Sequence, residues 1–137
     1  MVEDIQAEVA IVAETDVILV RKTVREAAER LNFRLTDVTR IVTCASELAR
    51  NVFLYAGSGV LKCRSLDVND TAGIELTFED HGPGIADMEQ VMQEGYSTSG
   101  GLGLGLPGSR KLMDEIDIRS RVGEGTTVVV RKWLRRR

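Results

Sequence analysis

Aromatic residues make up only 4% of the chain, so any core has to be aliphatic. Cysteine is nearly absent too: Cys44 and Cys63 are the two present. They stand far outside the C-x-x-C spacing of zinc and redox sites, which reduces them to small buried hydrophobes in a reducing compartment. No apolar run approaches the length of a membrane span. Glu3 and Asp4 stand where a secretory signal would carry positive charge, so the expected compartment is the cytoplasm. The net charge of −3 gives no general attraction to nucleic acid. Two nucleotide motifs are also missing. There is no G-x-x-x-x-G-K-[ST] phosphate loop, and neither H-R-D nor D-F-G occurs.

Against these absences stand 137 residues, 43% of them hydrophobic and 28% charged, the size and make-up of one ordinary domain. Ile5, Ala7, Val9 and Ile11 alternate with mostly polar neighbours and predict a first strand. Thr15 or Asp16 is the expected cap of a helix running to about residue 31, with Val17, Val20, Val24, Ala27, Ala28 and Leu31 on one face. Thr36 is the expected cap of a second helix over 37–56 that stops at Gly57. Strands are expected over 60–68 and 74–79, joined through 69–73, and over 116–122 and 126–134, joined through 123–125. Between them, eight of the thirteen glycines fall from Gly82 to Gly108. Short helices are expected at 88–94 and 106–115. This order predicts an α/β fold, a two-layer sandwich whose single mixed sheet is covered by helices on one face.

Three places carry chemistry. On the second helix, Ile41, Ala45, Leu48, Val52 and Tyr55 form the buried stripe. Glu47 and Asn51 project about 100° from its centre, four residues apart and therefore adjacent. They are either a surface pair or a base and a neutral oxygen ligand for Mg²⁺ at a cleft rim. Asp80-His81-Gly82-Pro83-Gly84 follows a strand; it is either a turn with a local Asp bond or an acceptor for an exocyclic amino group, with glycines admitting a ligand closely. Gly100-Gly101-Leu102-Gly103-Leu104-Gly105 runs into a predicted helix, an arrangement whose backbone N–H groups and dipole favour phosphate. Gly103 to Gly108 also matches G-x-G-x-x-G, but no strand precedes it, which excludes a dinucleotide fingerprint. Arg131, Lys132, Arg135, Arg136 and Arg137 crowd the last seven positions. They form a solvated end or a docking tail, and the first reading is preferred because only Trp133 offers an aromatic nearby.

In this order the three places resemble the boxes of the GHKL, or Bergerat-fold, ATPases and kinases. Glu47-Leu48-Ala49-Arg50-Asn51 resembles the N box, Asp80-x-Gly82-x-Gly84 the G1 box and Gly101-x-Gly103-x-Gly105 the G2 box. Residues 85–100 would be the ATP lid, and Gly125-Thr126 resembles the late Gly-Thr. Glu47 within the N box is similar to the anti-sigma-factor kinases, and 47–57, 94–108 and 111–115 look close to the RsbT-type switch kinases.

The resemblance implies one ATP-binding kinase domain over 1–137 using ATP and Mg²⁺. Asp80 would bind the adenine amino group, with Gly82 and Gly84 beside it and Thr126 supporting that side. Asn51 would hold Mg²⁺. Ser99, Gly100, Gly101, Gly103 and Gly105 would line the phosphates, and Glu47 would activate the acceptor hydroxyl. The implied substrate is a serine or threonine on a STAS-domain protein (RsbS/RsbR-like), with a phosphatase as a possible downstream partner and neither nucleic acid nor membrane involved. His81 is the only histidine, and no helical phosphoacceptor domain accompanies it, which excludes a complete histidine kinase. Two alternatives stay open: a nucleotide-gated binding module, and a direct anti-sigma factor.

Overall fold

A computed structural model describes residues 4–82 and 111–134. Its elements run β1 (Gln6–Ile11), α1 (Asp16–Arg30), α2 (Leu35–Ala56), β2 (Gly59–Val68), β3 (Thr71–Asp80), β4 (Glu115–Arg121) and β5 (Gly125–Trp133). The strands form one sheet in the order β1-β2-β3-β5-β4. Every pairing among them is antiparallel, so the sheet is not the mixed one expected from the sequence. The β2–β3 and β4–β5 pairs are hairpins, and β1 returns through α1 and α2 to pair with β2, each of which gives an antiparallel pair.

The two-layer arrangement stands. Val9, Ile11, Leu61, Cys63, Leu76, Phe78, Val128 and Val130 point from the sheet into one core with Val20, Val24, Ile41, Ala45 and Leu48 of the helices. Both helical stripes match the predicted periodicity, except that Tyr55 is only half-buried, and α2 adds Val38, Val42, Cys44 and Ala49. Both cysteines are buried and in no disulfide, and burial pushes the Cys63 thiol up to about 11. Among the described residues no helix is long and apolar enough to cross a membrane.

Several boundaries differ from expectation, each for a local reason. Thr15 precedes α1 but makes no side-chain cap bond. Asp16 instead turns back, its Oδ2 accepting from the N–H groups of Val12 (2.9 Å) and Ala13 (3.0 Å), which fixes the chain entering the helix. α2 starts before Thr36, at Leu35, with Arg34 at the cap position and no side-chain cap bond. Asp37 supplies negative charge in its first turn. The β2–β3 connection is two residues, Asn69 and Asp70, at φ of 52° and 62°. Asn and Asp tolerate this left-handed region, so Gly73 is not needed for the turn. Gly73 lies inside β3, where a Cβ would come 2.6 Å from the Trp133 ring. Helix persists only to Leu112, not to 115. Asp114 is already tied to β5, its N–H donating to the Arg131 carbonyl and its carboxylate accepting from the Trp133 N–H. The predicted helix at 88–94, nearly all of the glycine-rich loop and 106–110 lie outside the described residues.

Two charges of the basic tail belong to the fold rather than to a solvated end. Lys132 is buried at 6% exposure and donates to the Leu112 carbonyl (2.9 Å), with Asp37 and Asp114 carboxylates each at 3.9 Å. Arg131 pairs with Glu75 (2.7 Å) and Glu115 (3.3 Å) on the face of the sheet turned away from α1 and α2. Residues 135–137 lie outside the described part.

Candidate nucleotide site

The site end of the sheet is a row of paired residues across four strands. Gly59 of β2 faces Asp80 of β3, Asp80 faces Thr126 of β5, and Thr126 faces Ser120 of β4. Farther along the strands the same face holds Leu61, Phe78, Val128 and Ile118, so the row marks where the apolar core gives way to polar groups.

Asp80 organises this corner. Its Oδ1 accepts two backbone N–H bonds, from Gly82 at 2.9 Å and from Thr126 at 3.2 Å. The Gly82 bond is the local turn that the sequence allowed for. The Thr126 bond is not local, since it comes from another strand. With Oδ1 doubly bonded, the carboxylate is held in one orientation, and Oδ2 accepts no hydrogen bond from the described residues. A fixed carboxylate oxygen of this kind is an acceptor for a ligand amino group.

Glycines let the surrounding backbone close in. Gly82 packs on the end of α2, where a Cβ would sit 2.7 Å from Ala56 Cβ and 2.9 Å from Ala56 Cα. Gly59 leaves no room for a side chain between the Glu79 carbonyl and Val52. Gly125 adopts φ +118°, and a Cβ there would overlap the Asp80 carbonyl. β5 can begin hard against Asp80 only because this residue is glycine. His81 is exposed.

On α2, Glu47 and Asn51 are both half-buried, on the flank between core and solvent, as the helical angles require. Glu47 Oε1 accepts from Arg50 Nη1 at 3.3 Å. Asn51 lies five residues before Ala56, about 7.5 Å along the helix axis from the point where Gly82 packs, and Glu47 lies about 6 Å farther on. The structure therefore joins Asp80, Gly82 and Thr126 by hydrogen bonds and sets Asn51 and Glu47 in file along the adjoining helix. Gly84, Ser99, Gly100, Gly101, Gly103 and Gly105 lie outside the described residues. Among the described residues no cluster of three or more His, Cys, Asp or Glu could hold a metal.

Sequence reasoning missed Ser120. Its Oγ lies 2.8 Å from Thr126 Oγ1 and donates to the Gly125 carbonyl at 3.2 Å. A signal was present: Ser120 continues the inward period-two series of Ile116 and Ile118, a polar residue at a core-facing position. Among the described residues the opposite face of the sheet offers no rival centre. A groove of about 480 Å³ there is lined by Lys62, Arg64, Glu75, Thr77 and Glu79 among others. Its charges are largely spent on one another, Lys62 on Glu79 (3.0 Å) and Arg64 on Glu75 (2.6 Å).

Comparison with known proteins bears on this corner directly. Residues 36–136 match the model of the histidine kinase-, DNA gyrase B- and HSP90-like ATPase family. The chain belongs to that family. Within this ATPase family it is similar to small bacterial regulators along nearly its whole length. It is 46% identical over 130 residues to the serine/threonine-protein kinase RsbT of Bacillus subtilis, covering 95% of this chain and 98% of the relative. It is 34% identical over 121 residues to the anti-sigma F factor of Anoxybacillus flavithermus, covering 83% and 82%. A crystal structure of the RsbU and RsbW domains of a Mycobacterium tuberculosis protein superposes with a TM-score of 0.64 at 17% identity. That superposition covers 98% of this chain and 34% of the other, and shows the shared fold. The α/β sandwich and the nucleotide-binding character expected from the three boxes are thus those of the family.

Proposed function

We propose that this chain is an ATP-dependent protein serine/threonine kinase that phosphorylates a serine or threonine of a STAS-domain antagonist in a partner-switching stress pathway. Phosphorylation releases the kinase, which then engages a downstream partner such as a phosphatase. The reading takes 1–137 as one kinase domain acting in the cytoplasm, with no nucleic acid or membrane in the reaction.

The observation that carries it is the Asp80 corner. A carboxylate with one oxygen locked by two N–H groups and the other left as an acceptor suits the amino group of adenine. The likeness to the RsbT kinase supports the choice of reaction.

ATP, when bound, supplies the phosphoryl group, and Mg²⁺ neutralises charge on its phosphates. The chain's own residues position and deprotonate. Asp80 would receive the base, with Gly82 and Gly84 as the motif's glycines and Thr126 supporting that side. Asn51 offers a neutral oxygen to Mg²⁺, which commonly takes one or two protein ligands and completes its shell with phosphate and water. Ser99, Gly100, Gly101, Gly103 and Gly105 would give the phosphates backbone N–H groups. Glu47 takes the proton of the acceptor hydroxyl, and its bond to Arg50 steadies the carboxylate. Phosphoryl transfer asks for little else, since positioning and charge stabilisation supply most of the rate.

The test is transfer from labelled ATP to a STAS-domain partner. Glu47→Ala and Asn51→Ala should each lower it by about 10²-fold or more. Undiminished transfer in Asn51→Ala would remove the metal assignment, and in Glu47→Ala the base. Likeness to anti-sigma F factors favours a second reading, direct capture of a sigma subunit. Retention of purified sigma subunits on the immobilised protein would support it, and an empty eluate would count against it.

A further inference from the structure

A second line of side chains runs along α2 beside Glu47 and Asn51. At 100° per residue, Asn51 stands about 40° from Glu47 on one side, while Leu54 and Arg50 stand about 20° and 60° from it on the other. Both of these face solvent. Leu54 is 56% exposed, a large apolar side chain in water. The Arg50 side chain is 50% exposed and is held by Glu47 at 3.3 Å, through Nη1. An exposed pair of this kind is weak. A guanidinium has five N–H donors, so this bond leaves Arg50 able to take a further anion.

For Glu47 to take a proton, the acceptor hydroxyl must come within roughly 2.6–3.2 Å of its carboxylate. The protein surface around that hydroxyl then covers whatever lies beside Glu47. Arg50, three residues on, is a helix-surface neighbour at about 5–6 Å between Cβ atoms. Leu54 is two turns on, about 10.5 Å along the axis. We infer that Glu47, Arg50 and Leu54 form a docking strip for the acceptor protein, which sets a carboxylate against Arg50 and an apolar side chain against Leu54, both on the same side of its acceptor hydroxyl. The inference rests on the kinase reading above and deepens it. The strip's chemistry selects this occupant: Glu47 accepts from a hydroxyl, Arg50 donates to a carboxylate, and Leu54 leaves water against an apolar group. A nucleic-acid strand suits it poorly, because the phosphate that met Arg50 would also meet the Glu47 carboxylate.

The experiment is transfer from saturating labelled ATP to a STAS-domain acceptor protein at varied concentration, for wild type, Glu47→Gln, Arg50→Glu, Leu54→Ala and Leu35→Ala. Leu54→Ala should raise KM for the acceptor by about 10-fold and leave kcat and calorimetric ATP affinity unchanged. Leu35 is 74% exposed on the same helix but about 18 Å along it from Glu47, so Leu35→Ala should change none of the three. Arg50→Glu should raise KM by about 10-fold, and exchanging the acceptor's matching carboxylate for lysine should restore it. An unchanged KM in either Leu54→Ala or Arg50→Glu would overturn the inference. So would a loss of ATP affinity in Leu54→Ala that matches the rise in KM, since Leu54 would then serve the nucleotide. Failure of every lysine exchange around the acceptor hydroxyl to rescue Arg50→Glu would overturn the carboxylate contact. Glu47→Gln separates the two levels. If it transfers as wild type does, or if no STAS-domain protein takes label from wild type, the kinase reading itself fails and takes this inference with it. If Glu47→Gln loses transfer while Leu54→Ala and Arg50→Glu keep the wild-type KM, only the docking strip falls.

Discussion

Gly82→Ala adds a single methyl group at the point where the Asp80 corner rests on α2. The new Cβ would stand 2.7 Å from Ala56 Cβ and 2.9 Å from Ala56 Cα, both well inside contact distance. Neither neighbour can rotate away, because one is backbone and the other is fixed to it. Residues 80–82 must therefore move off the helix. Overpacking of this kind costs about 1–3 kcal/mol. At this chain length roughly 4 °C of melting temperature is lost per kcal/mol. The displacement also pulls on the Gly82 N–H bond to Asp80 Oδ1, one of the two that orient the carboxylate. A hydrogen bond to a charged group is worth about 1.5–3 kcal/mol, so ATP affinity should fall by roughly 10- to 100-fold. Differential scanning calorimetry and titration calorimetry read the two effects separately. A lowered melting temperature with unchanged ATP affinity would refute the link between this contact and the site. No change in either would refute the contact itself.

Glu75 governs the acid limb of stability. Burial raises its pKa, but hydrogen bonds from Arg64 and Arg131 outweigh that, and the net position is below its ordinary 4.5. A carboxylate depressed on folding stabilises the protein above its unfolded pKa and loses that contribution as pH falls through the folded value. Denaturant titrations should show stability declining below about pH 4.5, and Glu75→Gln should flatten that decline while costing about 1–2 kcal/mol at neutral pH, a figure moderated by the exposure of Arg64. A decline as steep in the variant would place its origin in other carboxylates. Cys63, buried and with its thiol pushed up to about 11, should resist alkylation at pH 8 in the folded protein and react on unfolding in urea. Labelling of Cys63 in the native state, located by peptide mass, would contradict its burial.

Most of the fold was legible because its periodicities are clean. Val17, Val20, Val24, Ala27 and Ala28 on α1, and Ile41, Ala45, Leu48 and Val52 on α2, are buried as the 3.6-residue repeat requires. What was not legible depends on partners remote in sequence. The Asp80 bond to the Thr126 N–H spans two strands, and no local pattern announces it. Lys132 looked like part of a solvated tail because only the folded chain brings Leu112, Asp37 and Asp114 around its ammonium group. The expected mixed sheet gave way to an antiparallel one, because pairings between strands remote in sequence, such as β3 with β5, leave no local pattern. At the candidate site, the motif residues Asp80, Gly82 and Thr126 were legible, and so was the shared flank of Glu47 and Asn51. Ser120 was not, since its meaning comes from the hydroxyl opposite.

The most direct test of the account is titration of wild type, Asp80→Asn and Asn51→Ala with ATP, each with and without Mg²⁺. The account predicts Mg²⁺-dependent binding in wild type, binding weakened by about 10²-fold in Asp80→Asn, and binding that no longer responds to Mg²⁺ in Asn51→Ala. Binding of equal strength and equal Mg²⁺ dependence in all three proteins would contradict it.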